Sequence, residues 1–478
     1  MPRTNRTPRS LGELLAEVEV RAVLGEPVAV TSVTHDSRQV ASGSLFCCVR
    51  GSVADGHAFA ADAVALGARS LLVDRQLDLE VTQVVVDDVR LAMGRVAAAF
   101  HEHPSRAMDV VGVTGTNGKT TTTWLLRSIL DAAGRRTGLI GTLTSRPGGP
   151  PTTPDSTDLQ AQLAELRDGG MDAVAMEVSS HALAQSRLVG TEFAVGVFTN
   201  LSRDHLEYHE TMEDYFAAKA RLFEPGQARH GVVNADDPRG RLLLDAARIP
   251  TVAYSLQDVQ DLIVHRDHST CTWRGRTLRV PLGATFNVSN ALAAAAAATV
   301  LGIGDDAIVA GIAAAPPAPG RFELVDAGQP FTVVVDYAHT PDGLEHVLQA
   351  ARDITGDGQL TVVFGCGGDK DAGKRPLMGE VASRLADVVV ITSDNPRSED
   401  PAAIVAQVRE GAVGPAYVIA EPDRRAAIGL ALSRAAAGDV VVVAGKGHEP
   451  TQTIGGRVVP FDDRVVVREI LGTGEGAP

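Results

Sequence analysis

Short apolar runs recur along the chain and alternate with amphipathic segments. Near the start, residues 70–73 and 83–86 predict strands, and the spacing of apolar positions over residues 11–24 predicts a helix. Apolar runs of this length between helical patterns are typical of α/β proteins with mostly parallel sheets. The pattern therefore predicts a small α/β domain over residues 1–105.

The middle of the chain repeats this pattern around one glycine-rich turn. Strands are predicted at residues 110–113, 173–176 and 195–198, and helices at residues 122–133 and 291–301. A hydroxyl-rich loop at residues 150–155 precedes another helix, which starts at Ser156. We therefore predict a central domain with a mostly parallel sheet over residues 106–319.

The last third of the chain contains four valine-rich runs, each followed by a loop and a helical segment. These runs lie at residues 333–335, 361–364, 388–392 and 440–443. Four β-α units in succession predict a doubly wound, Rossmann-like parallel sheet over residues 320–478, with ligands at the carboxyl ends of its strands. The predicted fold class is thus α/β with three domains.

Composition narrows the classes of function. A chain of 478 residues is too long for a single core, and its net charge of −15 argues against a nucleic-acid or anionic-membrane surface. The four cysteines lack C-x-x-C spacing, and no long apolar run is present, so we expect reduced thiols, no membrane span and a cytoplasmic protein. Residues 1–10 and 472–478 have the composition of disordered ends.

The segment T-G-T-N-G-K-T at residues 114–120 is typical of a phosphate-binding loop. Gly115 and Gly118 allow a tight turn that directs backbone N–H groups at a phosphate on the following helix N-terminus. Lys119 would reach the β- and γ-phosphates, and the Thr120 hydroxyl would bind Mg²⁺. Val113 stands where the strict motif has its first glycine, so a glycine-rich turn without a ligand is the alternative.

Three further polar positions follow predicted strands of the central domain. Glu177 ends one strand beside the phosphate loop, where a carboxylate can bind Mg²⁺, although an exposed strand-end carboxylate is the alternative. Asp204 and His205 follow the next strand and could reach a metal. Lys219, on an amphipathic helix, would by itself be interpreted as a solvated charge.

Polar loops also occur in the two outer domains. The segment D-S-R at residues 36–38 lies between strand-like runs and could be either a ligand site or a surface turn. In the last domain, Asp394-Asn395-Pro396-Arg397 and the segment at residues 444–449 follow two of the predicted strands. Cations and carboxylates together at such strand ends match what a zwitterionic amino acid requires, although D-N-P-R could also form a simple turn.

The phosphate loop, the E-V-S-S-H segment at 177–181, the T-N-L-S-R-D-H-L segment at 199–206 and the helix of Lys219 resemble the Mur ligase family. These ATP-dependent enzymes form amide bonds in peptidoglycan precursor synthesis, and the resemblance covers nearly the whole chain. The most similar members add the third residue of the peptide. The resemblance implies a ligase that uses ATP and two Mg²⁺ ions, with Lys219 carbamylated to give an N6-carboxylysine.

The resemblance also implies a set of site residues. The residues implied in catalysis are Lys119, Glu177, His205 and Lys219, and the metal ligands are Thr120, Glu177, His205 and carbamylated Lys219. The ATP contacts are Gly115, Thr116, Asn117, Gly118, Lys119, Thr120, Thr121, Asn287, Asn290, Arg321 and Asp336. The contacts to the UDP-sugar dipeptide are Ser37, Thr152, Thr153, Ser179, Gln185 and Arg187. The contacts to the amino acid are Lys370, Asp394, Asn395, Arg397, Gly445 and Glu449.

In the resembled enzymes, D-N-P-R accompanies meso-diaminopimelate, and the acceptor is UDP-N-acetylmuramoyl-L-alanyl-D-glutamate. One departure concerns residue 370, because this chain has G-D-K-D at 368–371 where those relatives have G-D-R-D. Lysine offers one ammonium instead of a planar two-pronged donor, and Arg375 could replace the missing fork. An L-lysine-adding homologue, a folylpolyglutamate synthetase-like ligase and a phosphate-loop NTPase switch remain as alternatives. We expect a monomer.

Overall fold

A computed structural model of the chain describes residues 7–51, 54–145 and 151–472. Its first sheet has five strands, and only the pair at one edge is antiparallel. In spatial order the strands are Ala22–Leu24, Thr82–Val85, Ser70–Val73, Ser44–Cys47 and Ser32–Thr34. The α-helices of this region are Leu11–Leu14, Ala60–Ala65 and Val89–Phe100. Single 3₁₀ turns lie at Ser37–Gln39, Gly56–Phe59 and Pro104–Arg106.

Two predictions for this region are wrong in part. The helix predicted over residues 11–24 ends at Leu14, and the chain then enters the strand Ala22–Leu24, which pairs with Thr82–Val85. Valines at positions 18, 20 and 23 favour this extended path, because β-branched side chains lose rotamer freedom in a helix. Of the predicted disordered ends, Arg9–Ser10 pairs with Ala29–Val30 and Gly472 closes a hydrogen-bonded turn. Residues 1–6 and 473–478 lie outside the described residues.

The central sheet has six strands, all parallel. In spatial order they are Thr251–Tyr254, Ala228–Asn234, Phe193–Phe198, Asp109–Thr114, Ala173–Glu177 and Thr137–Ile140. The α-helices are Lys119–Ala132, Ser156–Asp168, Ser180–Ala184, Leu206–His209, Met212–Ala220, Pro238–Ala246, Thr285–Val300 and Asp305–Ala314, with 3₁₀ turns at Arg221–Phe223 and Leu256–Asp258. Of the predicted loop at 150–155, residue 150 lies outside the described residues, and the helix at Ser156 is confirmed.

Helices cover both faces of this sheet, which explains its nearly continuous apolar strands. Val111 and Val113 pack on one side with the helices Lys119–Ala132 and Thr285–Val300, whereas Val110 packs on the other. A separate antiparallel sheet, formed by Val259–Val264, Ser269–Trp273 and Arg276–Val280, was not predicted. Its strands mix polar with apolar residues, so each carries only a weak apolar signal.

The last sheet also has six strands, and five of them are parallel. In spatial order they are Glu323–Leu324, Thr332–Asp336, Val440–Ala444, Leu360–Phe364, Val388–Ile391 and Tyr417–Ala420. The α-helices are Pro341–Thr355, Lys374–Leu385, Pro401–Gly411, Arg424–Arg434 and Asp463–Ile470, and a hairpin joins Thr451–Ile454 to Arg457–Pro460. Alternate valines of each strand face helices on opposite sides of the sheet, so the doubly wound prediction is confirmed.

The prediction of four β-α units misses two of the six strands of this sheet. The parallel strand Tyr417–Ala420 was missed because it lies at the sheet edge and stays partly exposed, which shortens its apolar run. The antiparallel strand Glu323–Leu324 is only two residues long. Among the described helices, none has the length and apolar character needed to cross a bilayer.

Candidate active site

The phosphate loop and two other strand ends meet at one edge of the central sheet. Glu177 pairs in register with Val113, and Phe198 pairs with Thr114. Because the strands are parallel, all three chains leave the sheet on the same side. The loop at 115–118, the carboxylate of Glu177 and the segment after Phe198 therefore surround one space.

The two loop glycines hold conformations that a side chain would disturb. Gly115 has φ +150°, and a Cβ added there would lie 1.9 Å from the Thr199 hydroxyl oxygen. Gly118 has φ +87°, and its Cβ would lie 2.3 Å from Oδ1 of Asn290. Both positions thus need glycine for the loop to reach the helix that begins at Lys119.

Lys119 is folded back onto its own loop. Its Nζ donates hydrogen bonds to the carbonyl oxygens of Gly115 at 2.9 Å and Thr116 at 2.8 Å. Burial lowers the pKa of this ammonium, and the nearby carboxylates of Glu177 and Asp204 act in the opposite direction. The position suits a cation that would turn toward an anion bound on the loop.

Glu177 accepts three hydrogen bonds in a buried position. Its carboxylate accepts from the Thr142 N–H at 2.8 Å, the Thr142 hydroxyl at 3.0 Å and the Thr120 hydroxyl at 3.1 Å. Arg321, from the last domain, donates to the same Thr120 oxygen at 2.9 Å. A carboxylate and a hydroxyl oxygen held together next to a phosphate loop fit the oxygen ligands that Mg²⁺ prefers.

Lys219 is almost completely buried, with 1% of its surface exposed. Its Nζ donates to the Gly115 carbonyl at 2.8 Å and lies 4.5 Å from the ring centroid of Tyr215. Burial, and then the nearby Lys119 ammonium, hold the pKa of Lys219 well below its usual range. The nearby Asp204 carboxylate acts in the opposite direction, and burial disfavours the charged form of the amine.

His205 stands at the same space in a left-handed backbone conformation, with φ +56°. Its Nδ1 is buried and lies 3.7 Å from the Glu207 carboxylate, beyond hydrogen-bond distance. Its Nε2 lies 3.4 Å from the carboxylate of Asp204. A buried imidazole nitrogen without a hydrogen bond among the described residues could serve as a metal ligand.

One cavity of about 670 Å³ joins these groups at the junction of the central and last domains. The predicted residues on its wall are Thr116, Asn117, Gly118, Lys119, Thr120, Thr121, Thr152, Glu177, Ser179, His205, Lys219, Asn290, Arg321 and Asp336. The wall does not include Asn287, which is buried and donates its amide to the Gly283 carbonyl at 2.7 Å. The helix there begins at Thr285, earlier than predicted, and this places Asn287 inside it.

The residues predicted to hold the UDP-sugar dipeptide fall into two groups. Thr153 donates to the Glu177 carbonyl at 2.9 Å and accepts from the Ser179 N–H at 3.0 Å, next to the cavity. Arg187 donates to the Thr153 carbonyl at 3.0 Å and to Oε1 of Gln185. Ser37 is separate, in the 3₁₀ turn Ser37–Gln39 of the first domain, and does not line the cavity.

The predicted amino-acid contacts gather at the strand ends of the last sheet. Asn395 donates to the carboxylate of Glu449 at 2.8 Å and to that of Asp394 at 3.1 Å. A Cβ at Gly445, which has φ +113°, would lie 3.1 Å from Oδ2 of Asp394, so the two loops approach closely. Arg397 donates to the Gly368 carbonyl at 2.6 Å. Five of the predicted contacts and the start of the G-D-K-D loop are therefore neighbours.

Lys370 and Arg375 have very different surroundings. Lys370 is exposed. Arg375 has 1% of its side chain exposed and donates to both carboxylate oxygens of Glu399, each at 2.8 Å. The guanidinium of Arg375 is thus already paired and is not turned toward the cluster at Asp394.

Comparison with known proteins agrees with the geometry. Three family models match in chain order: "Mur ligase family, catalytic domain" at residues 29–107, "Mur ligase middle domain" at 113–298 and "Mur ligase, glutamate ligase domain" at 320–447. A protein of Streptomyces avermitilis named "UDP-N-acetylmuramoyl-L-alanyl-D-glutamate--2,6-diaminopimelate ligase" is 47% identical over 94% of this chain and 93% of its own length. A protein of Geobacillus kaustophilus with the same name is 45% identical over 92% and 94%.

The chain belongs to the Mur ligase family.

Solved structures place this Mur ligase in the same fold. A solved structure of a UDP-N-acetylmuramoyl-L-alanyl-D-glutamate--2,6-diaminopimelate ligase matches with a TM-score of 0.68 and 35% identity, over 98% of this chain and 100% of that one. A MurF ligase from Thermotoga maritima in complex with ADP matches with a TM-score of 0.65 over 92% and 96% of the two chains. At 19% identity this second match shows the shared fold alone.

Several contacts of this Mur ligase were not anticipated from the sequence. Asn117 donates to the carboxylate of Asp342, across the junction of two domains, at 2.9 Å. Lys446 is fully buried and donates to Glu449 at 3.1 Å. Arg424 is also buried, beneath the strand ends. A lone lysine or arginine gives no sequence signal of burial, because such side chains are usually solvated.

Proposed function

We propose that this Mur ligase uses ATP to join meso-2,6-diaminopimelate to the D-glutamyl residue of UDP-N-acetylmuramoyl-L-alanyl-D-glutamate. The observation that carries the proposal is 47% identity, over nearly the whole chain, to a relative of that name. The cluster of Asp394, Asn395, Arg397 and Glu449 supports it, because a diamino dicarboxylic acid needs cations and carboxylates together.

The proposed reaction has two steps. The D-glutamyl carboxylate attacks the γ-phosphorus of ATP, which forms an acyl phosphate and releases ADP. The amine of diaminopimelate then attacks the carbonyl carbon, and phosphate and a proton leave as the amide forms. Lys119 would turn from the carbonyls of Gly115 and Thr116 to the phosphate oxygens and balance their charge.

Residues on the cavity wall are suited to hold two Mg²⁺ ions. Thr120 and Glu177 would supply oxygen ligands to one, and His205 with a carbamate on Lys219 would bind the other. When bound, such ions neutralise negative charge on phosphate oxygens. Among the described residues, no group of three or more His, Cys, Asp or Glu side chains is arranged to hold a metal, and the proposed donor set instead includes a hydroxyl and a carbamate.

Carbamylation of Lys219 is chemically favoured by its surroundings. A carbamate forms when a neutral amine attacks the carbon of CO₂ and loses a proton, and burial, which lowers the pKa of Lys219, favours that neutral form. The product is an anion with two oxygen atoms, placed where the protonated lysine would meet the Lys119 ammonium. The modification would therefore replace the repulsion between the two ammonium groups of Lys219 and Lys119 by an attraction between the carbamate and the Lys119 ammonium.

We further propose that the protein works in the cytoplasm as a monomer. The four cysteines are all free and buried, which fits a reducing compartment. Analytical ultracentrifugation of the purified protein tests whether it is monomeric in solution.

The decisive experiment supplies purified protein with UDP-N-acetylmuramoyl-L-alanyl-D-glutamate, ATP and a panel of amino acids, and measures phosphate release and product mass. We expect kcat/KM for meso-diaminopimelate to exceed that for L-lysine by about 10⁴-fold. The reason is that lysine lacks the second carboxylate of diaminopimelate, so the protein groups that pair with it stay unmatched. Comparable values for the two amino acids would reject the diaminopimelate assignment.

The same phosphate and product-mass readouts, with the acceptor substrate changed or left out, separate the other candidates. A preference for L-lysine would identify a lysine-adding homologue. Activity with a folate substrate and glutamate would favour a folylpolyglutamate synthetase-like ligase, and an ATPase rate independent of any carboxylate substrate would favour an NTPase switch. The fold is shared with a folylpolyglutamate synthase of Mycobacterium tuberculosis, at a TM-score of 0.62 and 20% identity over 80% of this chain and 95% of that one.

A further inference from the structure

A buried arginine of the last domain lies directly beneath the loops of the amino-acid cluster. Arg424 begins the helix Arg424–Arg434, and its side chain is 0% exposed. The carboxylate of Asp463, which begins the last helix, is equally buried. The pair is therefore cut off from water at the carboxyl end of the sheet.

The guanidinium of Arg424 uses its donors on three segments at once. It forks onto Asp463, with Nε to Oδ1 at 2.8 Å and Nη2 to Oδ2 at 2.7 Å. The outer nitrogens also donate to two backbone carbonyls, Nη1 to Ser393 at 3.2 Å and Nη2 to Ala444 at 2.9 Å. Ser393 and Ala444 lie at the carboxyl ends of two strands that are not neighbours in the sheet.

The residues after these two carbonyls belong to the proposed amino-acid site. Asp394 follows Ser393 and starts the D-N-P-R loop, and Gly445 follows Ala444 and starts the loop that carries Glu449. The loops are so close that a Cβ on Gly445 would lie 3.1 Å from the Asp394 carboxylate. The bond from Asn395 to Glu449, at 2.8 Å, depends on the same spacing.

We infer that Arg424, held by Asp463, is a positioning residue that sets the distance between the two loops and thereby the affinity for the amino acid. This inference rests on the proposed function. Arg424 does not touch the amino-acid cluster through its own side chain, so it acts through the backbone of Ser393 and Ala444. A displacement of about 1 Å in a binding constellation can cost on the order of 10²-fold in activity.

The role requires a planar, multidentate donor. Arginine presents five N–H groups in a fixed fork, whereas lysine has one ammonium on a flexible stem. In an Arg424→Lys variant the ammonium keeps the charge that faces Asp463, but it cannot fork onto the carboxylate and also bridge the carbonyls of Ser393 and Ala444. The variant therefore removes the positioning contacts while it preserves the charge balance.

Arg352 offers a matched control at the opposite end of the same sheet. Its Nη2 donates to the Leu385 carbonyl at 3.1 Å and to the Asp387 carboxylate at 2.9 Å, just before the strand Val388–Ile391 begins. Arg352 thus also joins a carboxylate and a backbone carbonyl, but far from the amino-acid loops. Arg352→Lys should leave KM for ATP, for the UDP-sugar dipeptide and for meso-diaminopimelate unchanged.

The test measures KM for ATP, for the UDP-sugar dipeptide and for meso-diaminopimelate in the wild type and both variants. For Arg424→Lys we expect KM for diaminopimelate to rise about ten-fold or more, with the other two constants changed less than about two-fold. The acyl phosphate formed before amine attack, trapped with hydroxylamine, should appear at the wild-type rate. An unchanged KM for diaminopimelate, or an equal rise of all three constants, would overturn the inference.

Two further measurements keep the outcomes distinct. If Arg424→Lys does not fold, Asp463→Glu provides the test, because one extra methylene shifts the fork and should raise KM for diaminopimelate selectively. If KM for diaminopimelate does not rise selectively in Asp463→Glu, the inference is overturned. If the wild type does not use diaminopimelate, the proposed function fails instead, and the three constants are then compared with the amino acid that the wild type accepts.

Discussion

Lys219 lies where few atoms can balance a positive charge. Its Nζ contacts a carbonyl and an aromatic ring. Burial and then the Lys119 ammonium lower its pKa, and the Asp204 carboxylate acts in the opposite direction. An isolated buried ammonium is costly, and the protein avoids that cost by favouring the neutral amine. A neutral amine is the form that can react with CO₂, so the proposed carbamylation depends on the burial of this residue as well as on its amine.

Replacing Lys219 by alanine should abolish ligation and leave the fold intact. The variant loses the proposed carbamate oxygens, and short carboxylates such as acetate should restore part of the activity because they supply oxygens in the vacated space. Product formation with and without acetate, together with the thermal unfolding midpoint, tests this. Glu213→Ala, on the exposed side of the same helix, is the control and should keep full activity. Full activity of Lys219→Ala would reject the carbamate.

Lys370 is exposed at the position where the family resemblance leads us to expect an arginine. Both outer nitrogens of Arg375 are paired with Glu399, which argues against Arg375 replacing the missing fork. If residue 370 binds the carboxylate of the amino acid, it therefore does so through the single flexible ammonium of Lys370 and not through an arginine fork. A single donor should bind a carboxylate less well than a planar fork.

In Lys370→Arg we expect KM for meso-diaminopimelate, measured at saturating ATP, to fall several-fold. The reason is one regained hydrogen bond, worth about 1 kcal/mol. Selectivity against L-lysine should survive in both proteins because Arg397 is unchanged. If KM stays the same or rises, Lys370 does not contact the amino acid, or the loop at 368–371 has packed differently around it.

The phosphate loop shows how an element depends on backbone conformation. Gly118 and Gly134 lie at the two ends of the helix Lys119–Ala132, both with positive φ, at +87° and +81°. A Cβ at Gly118 would meet Oδ1 of Asn290 at 2.3 Å, whereas one at Gly134 would meet no atom of the described chain within 4 Å. An alanine at either position would thus suffer the strain of a positive φ, but only an alanine at residue 118 would also collide with the Asn290 side chain.

Gly118→Ala should therefore raise KM for ATP strongly and lower the free energy of unfolding by about 1–3 kcal/mol. Gly134→Ala should lower the free energy of unfolding by about 1 kcal/mol and leave KM for ATP unchanged, because only the backbone strain applies. Urea unfolding and initial-rate kinetics on the pair separate the two effects. Equal values of KM for ATP in the two variants would contradict the collision at Asn290.

Elements with a strong apolar period could be predicted from the sequence, and those that depend on tertiary pairing could not. The strand Ser70–Val73 was predicted without error and Leu360–Phe364 to within one residue, because both are continuous buried runs. Tyr417–Ala420 was missed because a half-exposed edge strand carries little apolar signal. The residue types of the phosphate loop indicated its chemistry, whereas the burial of Arg424 depends on Asp463, which is distant in sequence.

At the scale of the whole molecule, the central and last domains are linked by polar contacts around the cavity. Arg203 lies 3.4 Å from the carboxylate of Asp371, and Asp204 lies 3.7 Å from the Lys374 ammonium. The amide of Asn117, within the phosphate loop, donates to Asp342 at 2.9 Å. The position of the last domain is therefore coupled directly to the loop that is proposed to hold ATP.

Asp342→Ala should lower kcat about ten-fold and leave the unfolding midpoint nearly unchanged. The Asn117 amide loses an ionised acceptor, a contact worth about 1.5–3 kcal/mol, so the packed arrangement of the domains becomes less populated during turnover. Small-angle scattering with ATP and the UDP-sugar dipeptide should then give a larger radius of gyration than the wild type. Glu345→Ala, on the same helix but paired with Arg384 at 3.0 Å, should match the wild type in both measurements. A wild-type kcat in Asp342→Ala would show that this contact does not hold the domains together in the reaction.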